Sequence, residues 1–317
     1  MDKLELIKRN TEEIINEKDI KSVLKKSSPV TYCGYETSGE IHLGHLVTIT
    51  KLLDLQEAGF KVKVLFADWH TWLNQKGDWD FIHKQVKNWQ KGFKAAGLSK
   101  AEFVLGSDFQ RSKDYIDDVL TLAGKITLNR GLRSMQQVAR DLDNAKISQV
   151  IYPLMQIVDI KHLGIDFVQS GIEQRKIHAL GIELLPEIKY KVPVFVHTPL
   201  IPSLTGKGKM SSSELSSMIT IRDSDKAIME KINNAYCPAK VVESNPILSI
   251  LRLVIFPRFS QVTIKRKKEH GGDMLFIRYD DLEKFYKEEK IHPLDLKHAC
   301  AEYLTAVISP IRKSFKT

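Results

Sequence analysis

Two histidines lie three residues apart in the segment GEIHLGHL, residues 39–46. β-forming residues precede this segment and a helical pattern follows it, so His42 and His45 are expected where a strand turns into a helix. A helix N-terminus attracts phosphate because its first N–H groups are unpaired and its dipole end is positive. Gly39 and Gly44 would let the backbone approach such a ligand, and the imidazoles could donate hydrogen bonds without adding permanent charge. Taken alone, the pair also fits ordinary surface or packing histidines.

A second segment with suitable groups is GKGKMSSS, residues 206–213. Its lysines and hydroxyl groups could stabilise negative charge that develops on a phosphate during a reaction. Serine-rich loops are common, so this segment by itself indicates little. The combination of both segments, in this order, is far more specific.

The elements that must position these groups alternate between strand and helix patterns. Strands are predicted in VTY at 30–32, in the run that begins KVKVLF, in AEFVLGSDFQ and in VPVFVHTPLI; a helix is predicted from His42 to Gly59. Such alternation predicts βαβ units and an α/β fold with a mostly parallel sheet. In an open parallel sheet, ligands collect at the carboxyl ends of the strands. The segment around His42 has that position.

Helical patterns account for much of the remaining chain. The first ~25 residues are predicted to form one amphipathic helix. Apolar spacing over residues 116–142 predicts a long helical hairpin, and IYPLMQIVDI predicts a helix with Pro153 in its first turn. From about residue 216 strand-like runs become rare and lysines cluster at 265–268. We therefore expect a catalytic domain over residues 1–219, with a helical insertion at about 112–147, and a mostly helical, basic domain over residues 220–317.

The composition allows a polyanionic partner and gives no indication of a membrane span or a secretory signal. The 317-residue chain carries 48 Lys+Arg against 39 Asp+Glu, a net charge of +9. This charge fits either a solvated basic surface or a phosphate-rich partner. No run approaches the roughly 18 apolar residues of a membrane span, and the N-terminus lacks a secretory h-region. The three cysteines form neither C-x-x-C pairs nor zinc-ligand spacing, which favours a cytosolic setting and predicts no protein-bound metal.

HLGH at 42–45 followed by KMSSS at 209–213 resembles the paired signatures of class I aminoacyl-tRNA synthetases. The resemblance implies a Rossmann-type ATP site, attack of an amino-acid carboxylate on the α-phosphate, and transfer of the acyl group to the 3′ end of tRNA. The implied catalytic groups are His42, His45, Lys209, Ser211, Ser212 and Ser213, with Mg²⁺ on the ATP phosphates. The implied ATP-binding residues are Gly44, Glu173, Lys209 and Met210. Glu214 stands where relatives often have a second lysine, so either Lys207 or Lys209 supplies that charge or the loop is less active.

Over nearly its whole length the chain looks like a tyrosyl-tRNA synthetase of the archaeal and eukaryotic type. The supporting segments include YCGYETSGEIHLGH, YPLMQIVDIKHLGID, GIEQRKIHAL and HPLDLKHA. By this resemblance, Tyr32 and Asp159 hold the hydroxyl of L-tyrosine. The amino and carboxylate groups are assigned to Tyr152, Gln156 and Gln174. The slot is lined by Leu65, His70 and Gln110, and its mouth is formed by Gly34 and Glu36.

Helical spacing supports part of this pocket independently. Tyr152, Gln156 and Asp159 lie at i, i+4 and i+7, so one helical face would carry three polar groups on an otherwise apolar segment. Such a face is costly to bury unless a ligand or a partner satisfies it. The alternative for Asp159 is a paired carboxylate in the core.

The resemblance also implies tRNA(Tyr) as the partner of the basic surface. It assigns Arg133, Arg175 and Lys176 to the acceptor end, and Asp295, His270 and His292 to the anticodon. The cluster of Lys265, Arg266, Lys267 and Lys268 fits phosphate contacts better than base readout. The helical insertion matches the segment through which relatives dimerise, so we expect a homodimer and neither a membrane nor DNA as a partner. Surface charges and intramolecular packing are the simpler alternatives for these features.

Three other functions also fit parts of the sequence. A tryptophanyl-tRNA synthetase shares the fold and motifs, although the pairing of Tyr32 with Asp159 suits a phenol better than an indole. A catalytically inactive paralogue that only binds RNA would be consistent with Glu214. A nucleotidyltransferase acting on a small carboxylate or phosphate ester would share the chemistry of the histidines, but it would not need the basic C-terminal domain.

Overall fold

The computed structural model describes residues 2–138, 144–208, 210 and 218–315. The chain divides into two compact units. Unit 1 comprises Met1–Ser38, Lys51–Gln90 and Leu98–Pro199, and unit 2 comprises Gly39–Thr50, Lys91–Gly97 and Leu200–Thr317. Because the units are defined by compactness alone, the functional domains 1–219 and 220–317 stay predictions.

Unit 1 is built on a six-stranded sheet. Its strands are β1 (Glu13–Ile15), β2 (Val30–Tyr35), β3 (Lys61–Phe66), β4 (Glu102–Leu105), β5 (Phe167–Gly171) and β6 (Val194–Thr198), in the order β1-β6-β5-β2-β3-β4. All neighbours pair in parallel except β1, which is antiparallel to β6. The strand order reverses between β2 and β5, as in doubly wound nucleotide-binding folds. The predicted α/β, Rossmann-type class is confirmed.

Nine α-helices lie in the described parts of the chain up to residue 199. They are α1 (Lys3–Lys8), α2 (Ile20–Leu24), α3 (Leu43–Glu57), α4 (Asp68–Leu73), α5 (Trp79–Phe93), α6 (Lys113–Ala123), α7 (Leu128–Ser134), α8 (Ile147–His162) and α9 (Arg175–Leu184). Side chains of α6, α8 and α9 form an apolar core with the sheet, including Tyr115, Ile157, Leu180 and Phe195. This core also contains a few buried polar groups, and those define the candidate site.

Unit 2 is mostly helical in its C-terminal part. Its elements there are α10 (Asp225–Asn234), α11 (Pro246–Ile250), β7 (Val262–Ile264), β8 (Met274–Phe276), α12 (Tyr279–Lys287) and α13 (Pro293–Ser314), with β7 and β8 forming an antiparallel pair. Asn245 begins α11 by accepting from the backbone N–H groups of Ile247 and Leu248. Among the described helices, none is long and apolar enough to cross a membrane.

The prediction of a single helix over the first ~25 residues is wrong. Helix α1 ends at Lys8, and Asn10 and Asn16 adopt left-handed backbone conformations on either side of β1. The buried ammonium of Lys51 donates to the carbonyls of Leu6 and Ile7 at 3.1 and 3.0 Å, which satisfies the end of α1. Pairing of β1 with the sheet edge outweighs the helical propensity of this segment.

Two details of the other helices also differ from expectation. Pro153 lies inside α8, about two turns from its start, rather than in its first turn. The second arm of the expected hairpin is shorter than predicted, because α7 ends at Ser134 and turns follow to residue 138. Residues 139–143 lie outside the described residues.

Candidate active site

A concentration of buried polar groups surrounds Asp159 on α8. This carboxylate is 1 % exposed, and its Oδ1 accepts 2.8 Å hydrogen bonds from Gln110 Nε2 and from the Tyr115 hydroxyl. His70 Nε2 lies 3.7 Å from Oδ2. Tyr32 belongs to the same buried cluster, and its pKa is raised well above its usual value by burial and then by the nearby Asp159. A set of fixed polar groups is therefore buried inside the apolar core of unit 1.

Burial gives Asp159 unusual protonation behaviour. Desolvation raises its pKa to about 7, although the hydrogen bonds from Gln110 and Tyr115 favour the ionised form. Two buried atoms beside it, His70 Nε2 and Gln110 Oε1, have no hydrogen-bond partner among the described residues. Unpaired buried polar atoms are costly, so we expect a water molecule or a ligand group to pair with them.

Tyr115 is a site residue that the sequence reasoning missed. It occupies the apolar face of α6 together with Val119 and Leu122, and its side chain is fully buried. A hydroxyl on such a face needs an internal partner. The position of Tyr115 on this face indicates that its hydroxyl has a buried partner, but the sequence does not show that the partner is Asp159.

Other residues assigned to the tyrosine slot belong to β2, β3 and α8 or directly follow β2, and their binding roles stay predictions. Tyr152 is buried and packs edge-to-face on the His70 ring, with centroids 4.6 Å apart. A Cβ at Gly34 would lie 3.8 Å from both Leu65 and Tyr32, an ordinary contact distance. Glu36 is held by Asn74 at 2.8 Å and by Lys76.

A second polar group of unit 1 follows β5. Gln156 Nε2 donates to Gln174 Oε1 at 3.2 Å, and Gln174 Nε2 donates to Glu173 Oε1 at 3.3 Å. Glu173 Oε2 is buried without a hydrogen-bond partner in the described ranges. A Cβ at Gly171 would lie 2.1 Å from that oxygen, so glycine leaves room for it. An orphaned carboxylate oxygen of this kind can accept from ligand hydroxyl groups.

The HLGH segment lies in unit 2 at the start of α3. His42 Nδ1 accepts from the backbone N–H of Gly44 at 3.1 Å, and His45 Nδ1 accepts from the backbone N–H of His42 at 3.1 Å. An accepting Nδ1 carries no proton, so in both rings Nε2 is the donor. Burial lowers the pKa of His42 to about 4, which keeps this ring neutral at physiological pH.

Two glycines make this arrangement possible. Gly39 has φ +81°, a left-handed conformation that glycine adopts without strain. A Cβ at Gly44 would lie 2.9 Å from Cε1 of His42, so any larger residue would displace that ring.

The second predicted segment is only partly described. Met210 is buried, and its N–H donates to the Ile201 carbonyl at 3.0 Å. Gly206 and Gly208 both have positive φ, at +76° and +68°. Lys207 is exposed. Lys209, Ser211, Ser212, Ser213 and Glu214 lie outside the described residues, so their roles stay predictions.

The three cations assigned to the acceptor end lie on the surface of unit 1. Arg133 lines a surface hollow with Asn129, Leu132 and Gln136, and Lys176 donates to the Gln136 side chain. Arg175, by contrast, pairs with both oxygens of Glu13 at 2.9 and 2.8 Å. The structure therefore brings Arg133 and Lys176 to one polar residue and gives Arg175 a separate partner.

The three residues assigned to the anticodon lie in unit 2. His292 is the exposed N-cap of α13, and Asp295 lies in the first turn of that helix. His270 is exposed in the basic segment, where Arg266 donates to the Lys290 carbonyl at 2.9 Å, two residues before His292. Lys265 is paired with Glu302 at 2.6 Å. The hydrogen bond from Arg266 therefore brings the basic segment close to the chain that leads into α13.

No group of three or more His, Cys, Asp or Glu side chains within the described ranges is arranged to hold a metal ion. Mg²⁺ prefers oxygen ligands and commonly binds through substrate phosphates with few protein ligands. The groups in place therefore fit an ion that arrives with a nucleotide better than a dedicated protein site.

Comparison with known proteins decides the family. The family described as tRNA synthetases class I (W and Y) matches residues 24–309. The chain is 48 % identical to the tyrosine–tRNA ligase of Archaeoglobus fulgidus, over 98 % of this chain and 97 % of that protein. It is 49 % identical to the enzyme of the same name from Methanocaldococcus jannaschii, over 99 % of both. The chain belongs to the tyrosyl-tRNA synthetases of archaeal type.

Solved structures agree with this assignment. The crystal structure of the Archaeoglobus fulgidus tyrosyl-tRNA synthetase with L-tyrosine superposes with a TM-score of 0.96, at 48 % identity and 98 % coverage of both chains. The tryptophanyl-tRNA synthetase of Aeropyrum pernix gives a TM-score of 0.73 at 19 % identity, with 91 % of this chain and 78 % of that chain covered. The second similarity shows a shared fold alone. As a tyrosyl-tRNA synthetase, the protein is an ATP-dependent ligase.

The raised pKa of Asp159 predicts a pH-dependent cost of folding. The usual aspartate pKa is 3.8, so the unfolded chain ionises this group from about pH 4, whereas the folded protein does so only near pH 7. Ionisation therefore favours the unfolded state progressively between these values, by up to a few kcal/mol. We expect Asp159→Asn to unfold at higher urea concentration than the unsubstituted protein at pH 8, with a much smaller difference at pH 4.5. Urea titrations of the ligand-free proteins measure this, and a difference independent of pH would contradict it.

Proposed function

We propose that this synthetase forms tyrosyl-adenylate in the slot closed by Asp159 and transfers the tyrosyl group to the 3′ end of tRNA(Tyr), releasing pyrophosphate and AMP. The observation that carries the proposal is the buried carboxylate of Asp159, fixed by Gln110 and Tyr115 within the apolar core. The bound L-tyrosine named for the Archaeoglobus fulgidus structure supports the same substrate for this chain.

Asp159 and Tyr32 are proposed to hold the phenolic hydroxyl of the substrate. Phenylalanine would leave the carboxylate and its neighbours without the polar partner that tyrosine supplies, and an unpaired buried group is costly. Sites built to bond a substrate hydroxyl reject the analogue that lacks it, and tyrosyl-tRNA synthetases are themselves the established example. Leu65 and Gly34 shape the apolar walls, and His70 and Gln110 border the polar end.

The outer polar residues are proposed to hold the backbone groups of the amino acid. Gln156 and Gln174 present amides, and Tyr152 presents a hydroxyl, to the ammonium and carboxylate. Glu36, fixed by Asn74 and Lys76, lies at the mouth of the slot. Glu173 is proposed to accept from the ATP ribose hydroxyls, because one of its carboxylate oxygens is buried without a partner among the described residues.

His42 and His45 are proposed to stabilise the α-phosphate and the departing pyrophosphate. Their Nε2–H groups are donors whose orientation is fixed before the reaction by backbone hydrogen bonds to Nδ1. Preorganised donors of this kind stabilise developing charge without reorganisation. Gly44, Met210, Lys209, Ser211, Ser212 and Ser213 are proposed to complete the ATP-binding groups. Mg²⁺ is proposed to accompany ATP and to neutralise its phosphates.

The basic surface is proposed to bind the tRNA. The exposed Arg133, Arg175 and Lys176 suit the acceptor end, and His270, His292 and Asp295 suit the anticodon. Phosphates contacted by these cations would release counterions, so affinity should fall with added salt. A cytoplasmic setting accords with three cysteines that are free and buried.

A homodimer is proposed to form through the helical insertion. Ile116 and Leu120 lie one turn apart on α6, and Leu120 is 64 % exposed. Leu128 begins α7 at 63 % exposure, and Ile147 begins α8 at 81 %. Several large apolar side chains exposed in one short stretch of chain indicate a protein contact.

We expect Asp159→Ala to reduce the preference for tyrosine over phenylalanine, measured as the ratio of kcat/KM values in ATP–pyrophosphate exchange. Loss of a hydrogen bond to a charged group predicts a fall of about 10- to 100-fold in that ratio. Asp80→Ala, on the exposed side of α5, is the matched control and should keep the ratio. An unchanged ratio in Asp159→Ala would exclude Asp159 from tyrosine binding. Exchange driven by tryptophan in the unsubstituted protein would contradict tyrosine as the substrate.

We expect His45→Ala to slow ATP–pyrophosphate exchange by about 100-fold or more, the effect of losing one preorganised donor at a developing charge. The dissociation constant for L-tyrosine, measured by calorimetry without ATP, should stay within about twofold. His83→Ala removes an exposed imidazole from α5 and should change neither quantity. A His45→Ala enzyme that exchanges at the full rate would exclude this role.

We expect the double variant Leu120→Asp, Ile147→Asp to be monomeric at concentrations where the unsubstituted protein is a dimer, because charge at an apolar interface is not compensated. Light scattering coupled to gel filtration measures the mass. Leu275→Asp changes a similarly exposed leucine of β8 and should leave the dimer intact. A monomeric unsubstituted protein, or an intact double-variant dimer, would contradict this interface.

A further inference from the structure

A line of hydrogen bonds runs through unit 1 from its sheet edge toward the proposed tyrosine site. Glu13 of β1 and His197 of β6 are directly paired across the two strands, so their side chains lie on the same face of the sheet. His197 Nδ1 lies 3.0 Å from Glu13 Oε2. On the far side of the same ring, Nε2 lies 2.9 Å from Nδ1 of His178, on α9.

The two imidazoles are buried and neutral. His178 is 1 % exposed and His197 is fully buried, and their rings lie nearly parallel, with centroids 5.2 Å apart. Burial lowers the pKa of both, most strongly that of His178. Each neutral ring carries one proton, so the hydrogen bonds decide which nitrogen holds it.

Glu13 determines which nitrogen carries the proton in each of the two histidine rings. Arg175 donates to both of its oxygens and lowers its pKa, so Glu13 is an ionised acceptor. His197 must therefore carry its proton on Nδ1, which leaves Nε2 as an acceptor. His178 must then carry its proton on Nδ1 to fill that bond. The remaining Nε2 of His178 is an acceptor.

This acceptor faces the amide of Gln156. Gln156 Nε2 lies 3.5 Å from His178 Nε2, at the upper limit of a hydrogen bond, and 3.2 Å from Gln174 Oε1. Both N–H bonds of the amide then have acceptors within the protein. Its Oε1 is left to accept from a ligand, and an ammonium group is the donor that an amino acid supplies.

We propose that Glu13, acting through His197 and His178, is a positioning residue that fixes the Gln156 amide with its oxygen toward the substrate ammonium. Without an acceptor at position 13, His197 can hold its proton on Nε2 and donate to His178. His178 then carries its proton on Nε2 and favours the flipped amide, whose NH₂ group would face the ammonium. A surface carboxylate thereby affects amino-acid binding in the pocket. This inference rests on the proposed role of Gln156 in binding tyrosine.

The test compares tyrosine binding in variants of Glu13, measured by calorimetry without ATP. We expect Glu13→Leu to weaken L-tyrosine binding by about tenfold, the loss of one charge-assisted hydrogen bond. Glu13→Gln keeps an oxygen that can accept from His197 and should restore binding to within about threefold. Glu12→Leu, an equally drastic change at the exposed neighbour, is the matched control and should bind normally.

A substrate analogue separates positioning from damage. With 3-(4-hydroxyphenyl)propanoate, which lacks the ammonium, Glu13→Leu and the unsubstituted protein should bind equally, whereas general damage to the pocket would weaken both ligands alike. ¹⁵N spectra of the histidines provide a readout that needs no variant: His178 and His197 should both be protonated on Nδ1. A His178 protonated on Nε2 in the unsubstituted protein would overturn the proposal.

The variant Gln156→Ala separates the role of Gln156 in tyrosine binding from the positioning role of Glu13. Weaker tyrosine binding in Gln156→Ala with normal binding in Glu13→Leu would overturn the positioning role and leave the proposed function intact. Normal tyrosine binding in Gln156→Ala would refute the role of Gln156 itself, and the positioning role with it.

Discussion

The site depends on a carboxylate held where water is excluded. Asp159 is almost fully buried, yet Gln110 and Tyr115 compensate only part of the cost, and its pKa rises to about 7. A carboxyl group in this condition bonds a phenol well, because the phenol supplies the donor that solvent cannot. Burial of this carboxyl group reduces stability, a cost that is common at functional sites. The apolar core around α6, α8 and α9 is what keeps this group dry.

The sheet explains why the residues proposed to bind tyrosine lie near one another. Strand order reverses between β2 and β5. In open parallel sheets, the residues that follow two such strands border a crevice at the carboxyl ends. Tyr32, Gly34 and Glu36 come from β2 and its end, and Glu173 and Gln174 come directly after β5. Helix α8 then adds three polar groups from one face. Short local segments thus supply the groups, and the parallel topology brings them together.

The sequence could predict whatever depends on local spacing. The face of Tyr152, Gln156 and Asp159 follows from the helical period, and the strand-to-helix position of His42 follows from the change of pattern. Contacts between distant residues had no such signal: Glu13 and His197 are 184 positions apart. The sequence did not predict the short strand β1 for the same reason. Its pairing with β6, rather than its own propensity, makes it a strand.

The tautomeric state of histidine matters both in the HLGH segment and in the line of hydrogen bonds from Glu13. In the HLGH segment, backbone N–H groups occupy Nδ1 of His42 and His45, so each ring donates from Nε2, as an anion requires. In the line from Glu13, a carboxylate takes the Nδ1 proton, so His178 accepts at Nε2, as an amide N–H requires. The imidazole is the same in both places, and its partner at Nδ1 decides whether Nε2 donates or accepts. The residues behind a ring therefore determine its role as much as the ring itself does. Local backbone geometry sets that partner for His42, whereas for His178 it is set by a strand pairing that only the complete sheet provides.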